Sequence, residues 1–316
     1  MSERNIWLDG IMGVVTGDAL GCPVQFLSRE RLRERGPVTG MEGHGTYDMP
    51  VGTWTDDSSM TLAALDSIRE SGEVDFDDIM TRFISWYEDG AYTPYGKAFD
   101  IGNTCSLAIE DYEDHHDCSS CGRTYEDSNG NGSLMRIMPF CLYAYSRHLD
   151  PEAALKLVHT GSGLTHDHLR SRIGCGLYYF CVSSILDGSG TLMERMQQGM
   201  DRGFSYYMQD RRNIGELAYY ERLKDLTVFS KCSEDSIRSS GYIVDSLEAA
   251  IWSVINTGDF REALLRAVNL AGDADTVGAI AGGLAGLYYG YDSIPSEWLE
   301  VIQKREWIEQ LCLKDG

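Results

Sequence analysis

Apolar residues recur at spacings of three and four along much of the chain, which is the period of a helix with one buried face. In Asp57–Arg69 these positions are Met60, Leu62, Leu65 and Ile68. The same reasoning predicts helices that begin near Asp75 and Asp150 and helices over Leu134–Tyr145, Leu169–Leu186, Ser240–Ile255, Asp259–Leu270, Thr276–Tyr289 and Ser296–Leu311. No run of alternating residues indicates a strand. The pattern predicts an all-α fold of about a dozen helices in one compact domain over residues 1–316.

Glycines interrupt two of the apolar stretches at a fixed spacing of four residues, which places them on one side of a helix. They are Gly13, Gly17, Gly21, Gly278, Gly282, Gly286 and Gly290. Glycine in a helix is unfavourable unless another backbone comes close. The pattern therefore predicts close packing between helices in the core.

Two long stretches are not predicted to be helical, and loops of this length in a compact domain are usually functional or disordered. They cover Gly36–Trp54 and Tyr112–Gly132. The second contains a Cys-x-x-Cys pair, Cys118 and Cys121. Without a partner pair this spacing is weak evidence for zinc or redox chemistry, and an ordinary surface loop is the favoured interpretation.

The charge balance restricts the possible partners. Lys and Arg total 27 against 49 Asp and Glu, a formal net charge of −22. This excludes nucleic acid and an anionic membrane surface as bulk partners. Nine cysteines, an odd number, indicate reduced thiols. Residues 1–5 lack signal-peptide features, and the apolar run 277–289 is too short to span a bilayer. We therefore expect a cytoplasmic monomer.

Two acidic clusters are the strongest candidates for chemistry. Thr55-Asp56-Asp57-Ser58 and Gly272-Asp273-Ala274-Asp275-Thr276 each precede a predicted helix. Taken singly, each cluster is explained by helix capping. Taken together, they would repel each other in a buried site, and a divalent cation would remove that cost. Oxygen ligands favour Mg²⁺ or Mn²⁺ over zinc.

A third segment, Asn129-Gly130-Asn131-Gly132-Ser133, precedes the predicted helix that starts at Leu134. It fits an anion site at a helix N-terminus or a plain turn capped by Ser133. Phosphate-binding motifs of the P-loop and dinucleotide type are absent.

Four motifs together resemble those of the ADP-ribosylglycohydrolases, in the order found in that family. They are Gly17–Pro23, Gly52–Ser58, Ser128–Arg136 and Gly272–Thr276, and the resemblance covers roughly residues 10–290. It implies an all-α domain of orthogonal helices with two Mg²⁺ or Mn²⁺ ions. It also implies a metal-dependent hydrolase that cleaves the distal ribose of ADP-ribose from arginine, serine or a small molecule, on a protein or a small ADP-ribosyl compound.

Site residues follow from the resemblance. The implied metal ligands are Thr55, Asp56, Asp57, Asp273, Asp275 and Thr276. Asp57 and Asp100 are implied as catalytic residues. The implied substrate-binding residues are Gln25, Gly102, Asn131, Gly132, Ser133 and His166. From the residues alone, His166 and His168 are expected to be solvated, with Thr165 or Asp167 capping the helix that begins at Leu169.

One departure concerns Gln25, where relatives usually carry glutamate. Glutamine keeps the shape and loses the charge, which supports an alternative function as an ADP-ribose-binding or partner-binding protein with little turnover. A hydrolase of another phosphate-bearing nucleoside is a further alternative.

Overall fold

In a computed structural model, described over residues 4–314, the chain forms sixteen α-helices and no strand. The helices are α1 Ile6–Gly21, α2 Arg29–Arg35, α3 Asp56–Ser71, α4 Phe76–Asp89, α5 Asn103–His115, α6 Met138–Ser146, α7 Pro151–Gly163, α8 Leu169–Asp187, α9 Leu192–Tyr207, α10 Ile214–Leu217, α11 Leu226–Phe229, α12 Ile243–Ile255, α13 Phe260–Val268, α14 Ala274–Tyr289, α15 Ser296–Leu299 and α16 Arg305–Leu313. Short 3₁₀ segments cover Cys22–Val24, Gly45–Tyr47, Glu126–Ser128, Arg211–Asn213, Ala218–Lys224, Glu234–Ser236 and Tyr291–Ser293. The predicted all-α fold is confirmed, and short helices account for the larger count. Residues 1–3, used for the signal-peptide expectation, lie outside the described residues.

Helices α1 and α14 form the centre of the fold and pack on each other more extensively than any other pair of described helices. A Cβ atom built on Gly17 would lie 1.9 Å from the carbonyl oxygen of Gly278, and one on Gly13 would lie 2.1 Å from that of Gly282. Such distances leave no room for a side chain. The predicted glycine packing is therefore confirmed, and it brings the two backbones into direct contact.

The two helices run antiparallel, and their register decides where the candidate site lies. Gly13 faces Gly282, Gly17 faces Gly278, and Gly21 faces the start of α14, where its Cβ would lie 2.4 Å from the backbone nitrogen of Asp275. The C-terminal end of α1 therefore meets the N-terminal end of α14. Helix α3 packs against both helices and brings its own N-terminus to the same place.

Local sequence explains several helix boundaries. Asp75 accepts hydrogen bonds from two backbone N–H groups at the start of α4, and Asp150 accepts one from a backbone N–H group at the start of α7.

The predicted extent of two helices was wrong. The Ser296–Leu311 stretch breaks between α15 and α16, where Lys304 adopts a left-handed φ of 54°. The helix predicted from Leu134 begins only at Met138.

Most of the two stretches predicted to be loops is not helical in the structure. Residues 36–54 contain only the 3₁₀ segment Gly45–Tyr47, whereas α5 extends to His115 into the second loop. All nine cysteines are free thiols. Across residues 4–314 no single helix is long and apolar enough to cross a bilayer. Only the pair Ile6–Val24 and Arg29–Arg35, bent by 84°, meets such criteria by length and composition.

Candidate active site

The N-terminus of α3 is organised by an aspartate from another helix. Asp18, fully buried in α1, accepts hydrogen bonds from the backbone N–H and hydroxyl of Thr55, at 3.0 Å each. It also accepts from the backbone N–H of Ser58 at 3.0 Å and from its hydroxyl at 2.5 Å. Asp18 thus takes over the capping function for α3, which leaves the acids at its start free for another purpose.

These acids are Asp56 and Asp57, both buried. The Thr55 hydroxyl lies 3.1 Å from Asp57 Oδ2, whereas Asp57 Oδ1 is buried without a hydrogen-bond partner in residues 4–314. A buried carboxylate oxygen without a donor is costly. The geometry thus favours a cation ligand over the capping alternative.

The second cluster meets the first across the α3–α14 contact. The hydroxyl of Thr276 donates to Asp57 Oδ2 at 3.4 Å, and the Asp273 carboxylate accepts from Asn131 Nδ2 at 2.6 Å. Asp273 makes no side-chain cap to α14. Asp275 accepts from the backbone N–H of Thr276 at 2.9 Å. The two acidic clusters therefore converge, as the resemblance implied.

The carboxyls of this site are buried close together, and the pKa of each is raised. Burial raises the pKa of Asp56, Asp57 and Asp275 well above the usual range, and the neighbouring carboxylates raise it further. Burial also raises the pKa of Asp273, and raises that of Asp18 to about 6. Clustered perturbed acids of this kind are typical of functional sites. A divalent cation bound among them would oppose this rise, because it favours the charged form of each carboxylate.

Asp100 reaches the same site from the loop before α5. It has a left-handed φ of 62°. Its carboxylate accepts a hydrogen bond from Gln25 Nε2 at 2.6 Å and another from the Tyr47 hydroxyl. It also lies within hydrogen-bonding reach of Asp275. Burial raises the pKa of Asp100, and the bonds from Tyr47 and Gln25 oppose that rise.

A cavity of about 300 Å³ opens over these acids. The expected site residues in its lining are Gln25, Asp56, Asp57, Asp100, Gly102, Asn131, Gly132, His166, Asp273 and Thr276. Thr55, Ser133 and Asp275 are buried outside the lining. The structure therefore gathers most of the expected residues around one cavity, although they come from six separate parts of the chain.

The glycine-rich segment borders this cavity in a different form from the one expected. Because α6 begins at Met138, the segment does not lie at a helix N-terminus, and the N–H groups of Leu134 and Met135 both donate to the carbonyl of Asn131. The Ser133 hydroxyl is bonded to Ser162 in the core rather than facing the cavity. Ser133 is fully buried and does not line the cavity, so the structure does not place it at the expected substrate contact.

The His166 ring packs against the glycine-rich segment and is buried. The expectation that His166 is solvated was therefore wrong. The guanidinium of Arg136 donates to the Thr165 hydroxyl at 2.8 Å, which lies 2.8 Å from His166 Nδ1. This hydroxyl can donate to Nδ1 or accept from it, so the tautomer of His166 decides the direction of the bond. Burial, with Arg136 nearby, lowers the pKa of His166 to about 3.

A neutral His166 therefore presents Nε2 next to Gly130 and Gly132, where it is a donor in one tautomer and an acceptor in the other. A Cβ on Gly132 would lie 2.8 Å from His166 Cε1, so glycine is required there. Thr165 does not cap α8 as expected, and neither does Asp167. The cap is His168, whose side chain accepts from the N–H of the second residue of the helix.

One further group of possible metal ligands lies outside this cavity. Ligand atoms of Glu126, His168 and Glu216 lie within 4.8 Å of one another. However, the guanidinium of Arg170 bridges both glutamates at 2.7 and 2.8 Å. A cation already balances this cluster, so it is a weaker metal site than the paired aspartates.

Sequence reasoning missed three supporting residues: Asp18, Tyr47 and Arg136. The signal for Asp18 was present, because a single acid in an apolar helix face between Gly17 and Gly21 has to be satisfied by a partner. No local signal marked Tyr47 or Arg136, since their partners are distant in sequence.

The chain is similar to known proteins along most of its length. It is 33% identical over 302 residues to ADP-ribosylarginine hydrolase Tri1 of Serratia proteamaculans, a match that covers 96% of this chain and 76% of that protein. It is 30% identical to the ADP-ribosyl-[dinitrogen reductase] glycohydrolase of Rhodospirillum rubrum, over 94% of this chain and 90% of that one.

A solved structure described as an ADP-ribosylglycohydrolase-related protein complex superposes with a TM-score of 0.78 at 31% identity, covering 98% of this chain and 96% of that one. The family model for ADP-ribosylglycohydrolase matches residues 3–315. These findings confirm the resemblance and the prediction of an enzyme that hydrolyses ADP-ribosyl bonds. The chain belongs to the ADP-ribosylglycohydrolase family.

Proposed function

We propose that this protein is a divalent-metal-dependent hydrolase that removes ADP-ribose from modified arginine. The observation that carries the proposal is the convergence of two buried acidic pairs at one cavity, where Asp57 Oδ1 has no hydrogen-bond partner in the part of the chain that the structure describes. Such an arrangement is unfavourable for stability alone and suits a site that holds cations.

The residues fit Mg²⁺ or Mn²⁺, because every candidate ligand offers oxygen and none offers sulfur or imidazole. The ligands of two such ions would be Thr55, Asp56, Asp57, Asp273, Asp275 and Thr276. When bound, the ions supply Lewis-acid character and a bound water of lowered pKa. Asp18 supports this set indirectly, since it holds Thr55 in place.

Protein groups around the cavity supply binding and proton transfer. His166 offers a neutral ring nitrogen, Nε2, for a hydrogen bond, and the backbone near Gly132 offers a surface without side chains on which a ligand can lie. Asp57 and Asp100 are the carboxylates proposed to move a proton, because both line the cavity and neither forms an ion pair with a described Arg or Lys. Gln25 and Gly102 complete the wall on the Asp100 side.

Arginine is the proposed acceptor because the relatives at 33% identity, from Serratia proteamaculans and Pseudomonas putida, are named ADP-ribosylarginine hydrolases. More distant relatives at about a quarter identity carry the name ADP-ribosylhydrolase ARH3. The bond cleaved would then join the distal ribose to the guanidinium nitrogen.

The test uses peptides that carry ADP-ribosyl-arginine or ADP-ribosyl-serine, with Mg²⁺, Mn²⁺ or EDTA, and measures free ADP-ribose. We expect release from the arginine peptide, loss of activity in EDTA, and loss in Asp275→Ala. The matched control is Asp89→Ala, which removes an exposed carboxylate at the end of α4 and should leave release unchanged.

Tight ADP-ribose binding without release from any acceptor would refute the hydrolase and favour the binding-protein alternative. Release from serine alone would refute the proposed acceptor. The single domain over residues 1–316, the monomeric state and the cytoplasmic location stay predictions that size-exclusion chromatography, limited proteolysis and cell fractionation would test.

A further inference from the structure

Gln25 is a fully buried amide at the cavity, and only one of its two ends is satisfied. The side chain is 1% exposed and follows the 3₁₀ segment after α1. Its Nε2 donates to Asp100 Oδ2 at 2.6 Å. The partner is a carboxylate, which only accepts, so the amide orientation is fixed by chemistry. Its Oε1 must then face the other way.

Asp100 is held from two sides by this contact. Gln25 donates to one carboxylate oxygen, and the Tyr47 hydroxyl donates to the other. We call these two bonds the Asp100 clamp. Asp100 has a left-handed φ of 62°, a conformation that persists only where the surroundings hold it. The clamp supplies that hold through neutral donors alone.

The other end of the amide is unpaired. Gln25 Oε1 is buried and has no hydrogen-bond partner among the described residues. A buried acceptor without a donor is unfavourable, and a ligand that brings a donor gains from pairing it. The residue lines the cavity, so a ligand can supply that donor. A neutral oxygen beside several carboxyls suits an uncharged hydroxyl.

We propose that Gln25 is a positioning residue for Asp100 and also accepts a hydrogen bond from a ribose hydroxyl of the ligand. The first part stands on the contacts alone, and the second rests on the proposed function. Only an amide can perform both functions at this position. A glutamate could still accept from a hydroxyl, but it could not donate to Asp100, and it would bring two carboxylates into contact.

Three variants separate the two functions. Gln25→Met removes both the donor and the acceptor. Gln25→Glu keeps an acceptor and loses the donor. Tyr47→Phe removes the other bond of the clamp and leaves Gln25 untouched. Each is assayed for ADP-ribose binding by calorimetry in EDTA and in Mn²⁺, for melting temperature without metal, and for kcat and KM on ADP-ribosyl-arginine.

For the acceptor, we expect Gln25→Met to weaken ADP-ribose binding about tenfold, the loss of one hydrogen bond. Tyr47→Phe should bind ADP-ribose as the wild type does and lose kcat at unchanged KM. Gln25→Leu, with the same two losses, replaces the methionine variant if that variant fails to fold. Wild-type ADP-ribose affinity in the apolar variant that folds would overturn the acceptor function.

For the clamp, we expect Gln25→Glu to melt lower than the wild type without metal, because two carboxylates then meet. Mn²⁺ should raise its melting temperature by more than it raises that of the wild type. Equal metal-free melting temperatures would overturn the clamp. Absence of hydrolysis in the wild type would refute the proposed function, whereas the binding and melting comparisons would still decide the inference about Gln25.

Discussion

The contact between α1 and α14 provides the sharpest test of the fold, through the substitution Gly17→Ala. The added Cβ would lie 1.9 Å from the Gly278 carbonyl oxygen, 2.3 Å from its carbon and 2.9 Å from the next backbone nitrogen. Real Cβ contacts need about 3 Å or more, so the two helices would have to separate by about 1 Å. No side-chain rotation can relieve the clash, because every atom it meets belongs to the backbone.

Overpacking of a core typically costs about 1–3 kcal/mol, and a clash between two backbones belongs at or above the upper end of that range. For a chain of this length, 3 kcal/mol corresponds to a fall in melting temperature of about 4–5 °C. The variant should also bind Mn²⁺ more weakly, since the separation moves Asp18 on α1 away from α3 and α14.

Urea unfolding followed by circular dichroism measures the change in unfolding free energy. Gly215→Ala is the control, because this exposed glycine in α10 has no heavy atom within 4 Å of a built Cβ. Its helix propensity should rise, which stabilises the protein by up to about 1 kcal/mol. If both variants unfold with wild-type free energies, the reasoning about helix contact is wrong.

Three further predictions concern the site. Asp57→Asn should raise the metal-free melting temperature, since it removes an acid whose pKa is raised well above normal, and should abolish stabilisation by Mn²⁺ in a thermal-shift assay. Asp18→Asn should destabilise the protein by about 2 kcal/mol in urea, because an amide oxygen cannot replace a carboxylate that accepts four hydrogen bonds. A wild-type unfolding curve would contradict this. The pKa of His166 is about 3 in the folded protein and about 6.5 when exposed, so the unfolded chain binds more protons between those values. Stability should therefore fall as pH falls through this window, and His166→Gln should lose less stability there than the wild type.

Local signals in the sequence predicted much of the fold. Periodicity and capping residues identified α3, α4, α7, α8 and α12 to α14, because those signals act within a few residues. Helix α9 was missed although Thr191 and Glu194 form a capping box at its start. The break after Leu299 could not be foreseen, since apolar periodicity continues across it.

The site was predictable only in part, for the same physical reason. Two acidic pairs could be found as local motifs, whereas their convergence was implied only by the family resemblance. The bond from Gln25 to Asp100 joins residues 75 positions apart, and Asp18 reaches Thr55 across 37 positions. Such contacts depend on how helices pack, which one sequence without its fold does not specify.

The antiparallel pairing of α1 with α14 also has a consequence for synthesis of the chain. About 250 residues separate the end of one helix from the start of the other, and closing a loop of that length costs on the order of 5 kcal/mol in chain entropy. A growing chain on the ribosome cannot assemble the acidic site until α14 has emerged. Until then the glycine face of α1 stays uncovered, which exposes the nascent chain to aggregation. The proposed metal site therefore cannot form before α14 has been synthesised, and a fragment that stops before α14 should bind no metal there.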